Sequence, residues 1–544
     1  MWLVAEVEPK RDTGSEGASS AMGSGATRLC YLLRAAESEA VLVANILGVS
    51  GSLRNARVGA SSSLCADLAE LRNESDLIEF LGRQGSFLVE SFLEAHAETE
   101  SYLEAFDRLR AKSREQGLSN SEAALACGLW SCLKAGCAID HLSLSRCFPP
   151  GGGIKHAAEL REKVLACDGL LVSGPVYFGD RGSLVQSFID FCHQDDEIKA
   201  HLQGKVYAGI SVGAKRNGGQ ETSLIYQMLD MANLGLLSVG NDSQTTSQYG
   251  GTVVAGDVGK FTLDDYGIQT CLSTGNRIAH VARLNEAASQ GVSNHKIKIN
   301  LLILQDMADR TGLAFFTRWA EKITSEDPSI EVAIWDALEF SIVRCIGCDI
   351  CPTDVGPTED YRCIITRQDD FFARHHANII DADALLVCVY SPEDRKSLIS
   401  VYQQYMERTR YLRRDNYVYG DLLVAPFVIS ELSARQNMHM RIMTSMVRHQ
   451  TIIQHPIIGM LNKGELINRE SVWHNSIRFL SMARQIVRGR RFLAQLPSNV
   501  YQPIGYVISE RKAAMDASSG KAARFSEENL QTAKARLEAR TLKD

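Results

Sequence analysis

The chain has 544 residues, of which 45% are hydrophobic and 23% charged, with a net charge of −7. That length passes the ~250–300 residues at which single cores stop growing, so more than one domain is expected. The mild charge makes no case for a nucleic-acid partner, no run reaches the ~18 apolar residues of a membrane span, and fourteen cysteines in so long a chain are no disulfide scaffold.

Residues 1–40 lack hydrophobic periodicity and are rich in Gly, Ser and Ala between Thr13 and Thr27, which predicts a flexible tail. No basic stretch leads into an apolar one there, and the expected location is cytoplasmic. Val43–Val49 reads as a buried strand running into Ser50-Gly51-Ser52-Leu53-Arg54. A strand, a small-residue loop and a helix make a ready anion site, to which the hydroxyls and Arg54 add donors. From Leu64 to about Arg114 comes helical material with apolar spacing, then a second opening at Gly117-Leu118-Ser119-Asn120-Ser121. A helix over Glu122–Ala135, a glycine and the strand-like AIDHLSL follow.

After a helix over His156–Leu165, the apolar run Gly169–Val172 predicts a strand that ends in Ser173-Gly174-Pro175-Val176-Tyr177-Phe178-Gly179. Leu184, Phe188 and Ile189 fall at helical spacing behind it. That loop then stands at the carboxyl end of a parallel strand, where open α/β sheets bind ligands. Its glycines let backbone approach a flat ligand, and Tyr177 and Phe178 offer an aromatic wall. An ordinary strand-to-helix turn burying both rings is the alternative. A third strand, Val206–Val212, meets a Gly-rich loop ending in Gly218-Gly219, followed by helical Thr222–Leu234. A short strand and loop at Gly251–Gly259, a closing helix at Leu272–Ala287 and a polar linker at Gly291–His295 end the first half.

The second half repeats the pattern, and internal duplication is informative even at this coarse level. Lys298–Gln305, Ile330–Trp335, Ala382–Tyr390 and Leu422–Ile429 read as strands, with helices at Leu313–Ile323 and Ile442–His449. ADALLVCVY echoes CDGLLVSGPVY. The expected organisation is a tail over 1–40, one domain over 41–290, a second over 296–495 and a helical arm over 500–544. Cys345, Cys348 and Cys351 stand in C-x-x-C-x-x-C-P, with Cys363 beyond, a spacing suited to an iron–sulfur cluster, to zinc, or to plain thiols. His375, His376, His439, His449 and His455 show no ligand spacing and read as structural.

The loops GSLR, SGPVYFG and the Gly-rich third loop, in that order, resemble the NADPH-dependent FMN reductases of the flavodoxin-like superfamily. The resemblance implies two tandem flavodoxin-like, doubly wound α/β domains. It implies FMN with its phosphate at Ser50, Ser52 and Arg54, and its ring along Pro175, Val176, Tyr177, Phe178 and Gly179. Gly218 and Gly219 would lie near the pyrimidine edge, and Gln248–Thr252 near the outer part of the site. Because the family enters its first helix directly, Ser119 and Asn120 are expected to cap that helix beside the phosphate, making about 64–116 an insertion; the alternative is that Ser61-Ser62-Ser63 open the first helix and Ser119 caps another one. The second copy has QDMADR in place of GSLR and Glu393-Asp394-Arg395 in place of the aromatic loop, so it is expected to be degenerate. The cysteine run resembles that of the related iron–sulfur flavoproteins, which implies a [4Fe–4S] cluster at Cys345, Cys348, Cys351 and Cys363. The implied activity is hydride transfer from NADPH or NADH to the flavin and on to an unspecified acceptor, with no side-chain acid or base required; an iron–sulfur electron carrier and a non-enzymatic flavin-binding scaffold are the alternatives. The second half would serve as an internal dimer partner, its Arg408, Arg410, Arg413 and Arg414 either facing the first site or forming a solvated basic helix face; a homo-oligomer is the other expectation.

Overall fold

The structure, a computed structural model, describes residues 43–495 except 54–59, 97–100, 102–103, 105–116, 243–246, 257–258, 292–295, 306–309, 340, 349–350, 352–360, 362, 368, 392–395, 414–417 and 433–436. The expected tail and C-terminal arm therefore lie outside the described residues, as do Arg54, Arg414 and the loop at Glu393–Arg395.

Among the described residues, one 14-stranded sheet runs through the molecule. In the first half β1 (Asn45–Ser50) lies between β2 (Ala138–Ser143) and β3 (Gly169–Tyr177), and β5 (Val206–Gly213) follows on the far side of β3. All these pairings are parallel. β1 and β5 are buried almost throughout, as strands covered on both faces must be, and this explains their unbroken apolar runs. The fifth strand comes in two pieces. β6 (Leu237–Ser238) pairs with the start of β5 and β7 (Gly251–Val254) with its end.

The second half has the same plan. β8 (Ile297–Leu304) lies between β9 (Ile330–Asp336) and β10 (Ala384–Ser391), and β11 (Leu423–Glu431) follows. β12 (Ile452–Ile453) and β13 (Ile457–Asn462) share the fifth position, and β13 turns back into β14 (Glu465–Leu466). Both halves thus show the flavodoxin-like order 2-1-3-4-5. They join where β6 and β12 pair antiparallel, Ser238 opposite Ile453, so the halves face each other with strand directions reversed.

The helices that frame the first site are α1 (Ala60–Glu70), α2 (Glu74–His96), α3 (Asn120–Lys134), α4 (Ser183–Gln194), α5 (Gln220–Asn233) and α6 (Asp265–Ala287). α3 and α6 touch backbone to backbone. A Cβ on Gly275 would stand 2.2 Å from the Gly128 carbonyl oxygen, so only glycine permits this approach. The second half is closed by α7 (Thr311–Glu326), α8 (Phe371–Ile380), α9 (Lys396–Arg408), α10 (Met438–Met446) and α11 (Arg469–Gln495). Phe427 at its centre meets Phe316, Trp319 and Phe315 edge-on at 5.0–6.1 Å, contacts worth about 0.5–1.5 kcal/mol each beyond their area.

The strand expected to stop at Val172 continues to Tyr177 and folds back into β4 (Asp180–Arg181), with Val176 opposite Arg181 and Tyr177 opposite Asp180. SGPVY is therefore strand, not loop. Pro175 is tolerated because β1 pairs no further than Ser173, so the missing N–H interrupts no ladder on that side.

Candidate functional site

Because β1, β3 and β5 are parallel, Ser50, Tyr177 and Gly213 end at one edge of the sheet. Ser50 and Ser52 are both buried there. The Gly51 N–H donates to the Ser173 carbonyl at 2.7 Å, and the Ser52 N–H to Ser50 Oγ at 3.5 Å, so the loop turns tightly over the strand end. Ser173 Oγ donates to the Ser121 carbonyl at 2.8 Å and thereby fastens the start of α3 to β3.

Ser119 is the N-cap of α3 in a full capping box. The Glu122 N–H donates to Ser119 Oγ at 3.3 Å, and the Ser119 N–H to Glu122 Oε2 at 3.1 Å. The Ser119 hydroxyl, 3.0 Å from Glu122 Oε2, is committed to its own helix. The N–H groups of Asn120 and Ser121 have no acceptor among the described residues. Helix starts leave such donors, and here Ser121 is buried beside the buried Ser50–Ser52 loop. Open N–H donors at a helix dipole's positive end suit an anion. Asn120 Nδ2 also reaches the Ala255 carbonyl at 3.4 Å.

At the tip of the β3–β4 hairpin, Phe178 and Gly179 both have positive φ (51° and 83°), the geometry of a tight hairpin turn. The turn leaves Phe178 wholly exposed and Tyr177 at 44%. Burial of the two rings in an ordinary turn is thus not what the structure shows; they stand at the carboxyl edge as an open aromatic wall. The third loop closes against it. Gly219 (φ 100°) lies so near that a Cβ there would come within 2.8 Å of Gly179 Cα. Gln220 secures this loop, accepting from the Gly218 N–H at 2.8 Å and donating to the Lys215 carbonyl at 2.8 Å.

The second half reaches this edge as well. Arg413 Nη2 donates to Gln248 Oε1 at 2.6 Å. Burial pushes the Tyr249 phenol above its ordinary value against the opposing pull of Arg448, which bonds it, and of Arg413. Arg408 does not take part. It is fully buried, bidentate to Asp370 (2.7 and 2.9 Å), and also donates to the Val343 carbonyl. Its tandem position in ERTRYLRR hid that the chain turns inward there.

Cys345, Cys348, Cys351 and Cys363 are each partly exposed. Among the described residues no three or more His, Cys, Asp or Glu side chains gather as a metal ion requires. Cys345 and Cys348 lie in 342–348, a stretch without helix or strand in which the Gly347 N–H donates to Cys345 Sγ at 3.4 Å. Ser121 and Arg448 had no place in the expected site, whereas Tyr249 falls within the expected Gln248–Thr252 stretch. Ser121 was legible in the run Ser119-Asn120-Ser121, whereas Arg448 arrives from 199 positions beyond Tyr249 with no local signal.

Residues 131–249 match the family model described as NADPH-dependent FMN reductase. Over this stretch the chain is similar to that family. Among curated proteins, an iron–sulfur flavoprotein of Methanocaldococcus jannaschii is 34% identical over 126 residues, and one of Methanosarcina thermophila 32% over 127. Each match takes in 23% of this chain and 64% or 62% of the relative, less than two thirds of either. A WrbA-like flavodoxin structure from Agrobacterium tumefaciens overlaps 44% of this chain and 98% of its own, at 16% identity and a TM-score of 0.23. The flavodoxin-like assignment rests on the strand order, which the FMN reductase match independently supports. The matched residues take in the last turn of α3, the β3–β4 hairpin and the Gly219 loop.

Proposed function

We propose that this chain is an FMN-dependent oxidoreductase that draws hydride from a reduced nicotinamide and passes electrons to a separate acceptor. One observation carries the reading: the buried Ser50–Ser52 loop, the open N–H groups of Asn120 and Ser121, and the exposed Tyr177–Phe178 wall meet at one sheet edge. FMN, when bound, supplies the hydride-accepting centre. The chain supplies the rest. Ser52, Asn120 and Ser121 hold the phosphate, joined by Arg54. Pro175 to Gly179 and Gly218-Gly219 lie along the flat ring and exclude water from one face. The second half acts as a built-in partner, with Arg413 and Arg448 placed to meet the phosphates of a nicotinamide dinucleotide.

Purified chain reconstituted with FMN is assayed for NADPH and NADH oxidation. The expected result is one flavin per chain and turnover with at least one nicotinamide. Bound flavin without turnover would remove the reductase reading. Alanine at Arg413 and Arg448 together raises KM for the nicotinamide while leaving flavin content intact. For the cysteine run, its spacing and the names of the two relatives favour an iron–sulfur carrier as a second reading. Iron and sulfide analysis after anaerobic purification decides it, about four of each per chain being required.

A further inference from the structure

We propose that the second half carries its own binding cavity for a planar aromatic anion, separate from the flavin edge. The cavity holds about 720 Å3, within the ~300–1,000 Å3 of small-molecule sites. Tyr390, Ile429 and Leu461, at the carboxyl ends of β10, β11 and β13, form its floor. Phe315 from α7 and Trp473 from α11 form the walls.

Its polar groups have one dominant sign. Arg318, Lys322 and Arg469 line the cavity against a single carboxylate, Glu470. Lys322 Nζ sits 3.6 Å from the centroid of the Trp473 ring, which fixes that ring as a wall. Arg318 has no acceptor among the described residues, and Arg469 spends only its Nε, on the Leu466 carbonyl at 3.3 Å. Aromatic walls select a flat ring, and two available guanidiniums select an acidic group on it.

The first half shows why the cavity is open. There the matching face, over α3 and the start of α6, is covered. Trp130 Nε1 donates to the Leu71 carbonyl at 3.3 Å, Gln269 bonds Glu74, and Gly85 of α2 lies against Gly259. Phe261 is buried beneath. The second half passes from β8 to α7 within seven positions, with no counterpart of α1 and α2. Among the described residues, the face that carries a lid of helices in one copy is a cleft in the other.

The test uses the full chain saturated with FMN, titrated calorimetrically with 2-naphthoate and with its neutral isostere 2-naphthamide. Naphthoate should bind about ten-fold more tightly than the amide, the worth of a charge-assisted pair at a partly exposed site. In the double variant Arg318→Gln/Arg469→Gln that preference should vanish while amide binding persists. Trp473→Ala should weaken both probes, with flavin content unchanged. Equal affinity for the two probes, a preference that survives the double variant, or no binding at millimolar probe would each overturn the proposal. Release of FMN by naphthoate would do so too, since it would place the probe at the flavin edge.

Discussion

Phe178 spends a strained backbone on holding its ring in water. A non-glycine residue at φ 51° is uncommon, and a wholly exposed phenylalanine adds nothing to folding. Phe178→Ala should therefore leave the urea midpoint unchanged and weaken FMN binding several-fold, measured by flavin fluorescence; a stability loss with normal affinity would make the ring structural. Arg54→Ala should cost about ten-fold in FMN affinity, the scale of a charge-assisted phosphate contact. At this scale the sequence was informative about residue type and less so about placement. GSLR and SGPVYFG announced the small, hydroxylated and aromatic groups. That Ser119 spends its hydroxyl on Glu122 became visible only with the capping geometry, because S-x-x-E serves a helix start equally well whether or not a ligand lies beyond it.

The elements followed hydrophobic runs closely wherever a strand was buried on both faces. β1, β5, β8, β10 and β11 begin and end within two residues of the apolar stretches that predicted them. β6 and β12 were illegible, since two residues carry no period and both owe their existence to the strand beside them. The hairpin at β3–β4 was mistaken for a loop because Gly and Pro are breakers inside most strands, yet here they lie past the last residue of β1. The α5 start depends on Gly219, whose positive φ and contact with Gly179 admit no side chain. Gly219→Ala should push the third loop off the hairpin, lowering flavin affinity more than global stability. Equal flavin affinity in that variant, by equilibrium dialysis, would show that the two loops act independently.

At the scale of the whole chain, a buried charge cluster pins the halves together. Arg277 of α6 bonds Asp421 Oδ1 at 2.6 Å and also the Gln450 carbonyl, while His280 meets Asp421 Oδ2 at 2.9 Å. Burial alone would raise the Asp421 carboxyl, but His280 and Arg277 outweigh it and hold it well below the usual range. Arg277→Ala leaves that carboxylate short of a partner and should cost about 3–5 kcal/mol in denaturant unfolding. Acid should weaken the fold by a second route. Burial, with Arg413 and Arg448 nearby, lowers His449 to about 3, and burial with Arg478 lowers His455 to about 4. Both remain neutral in the folded chain, while unfolded histidines gain protons below their ordinary 6.5. Stability is therefore full above pH 6.5 and falls between there and pH 4, by up to about 1.4 kcal/mol per pH unit for each. Urea midpoints at pH 7.5, 6 and 5 check this, and His449→Gln should flatten the dependence. The repeated strand order was legible in the strand echoes. The pin was not, because Arg277 and Asp421 are 144 positions apart and each reads locally as a surface charge.

The antiparallel seam at Ser238 and Ile453 has a geometric consequence. Reversing strand direction across it sends the carboxyl ends of the two halves to opposite rims of one sheet. Strands of 6–9 residues separate those rims by roughly 20–30 Å, at about 3.3 Å per residue. A small molecule held against Trp473 and another reacting beside Phe178 cannot touch. Any influence of one on the other must pass through the protein between them as a linkage between sites, equal in both directions when expressed as binding free energy.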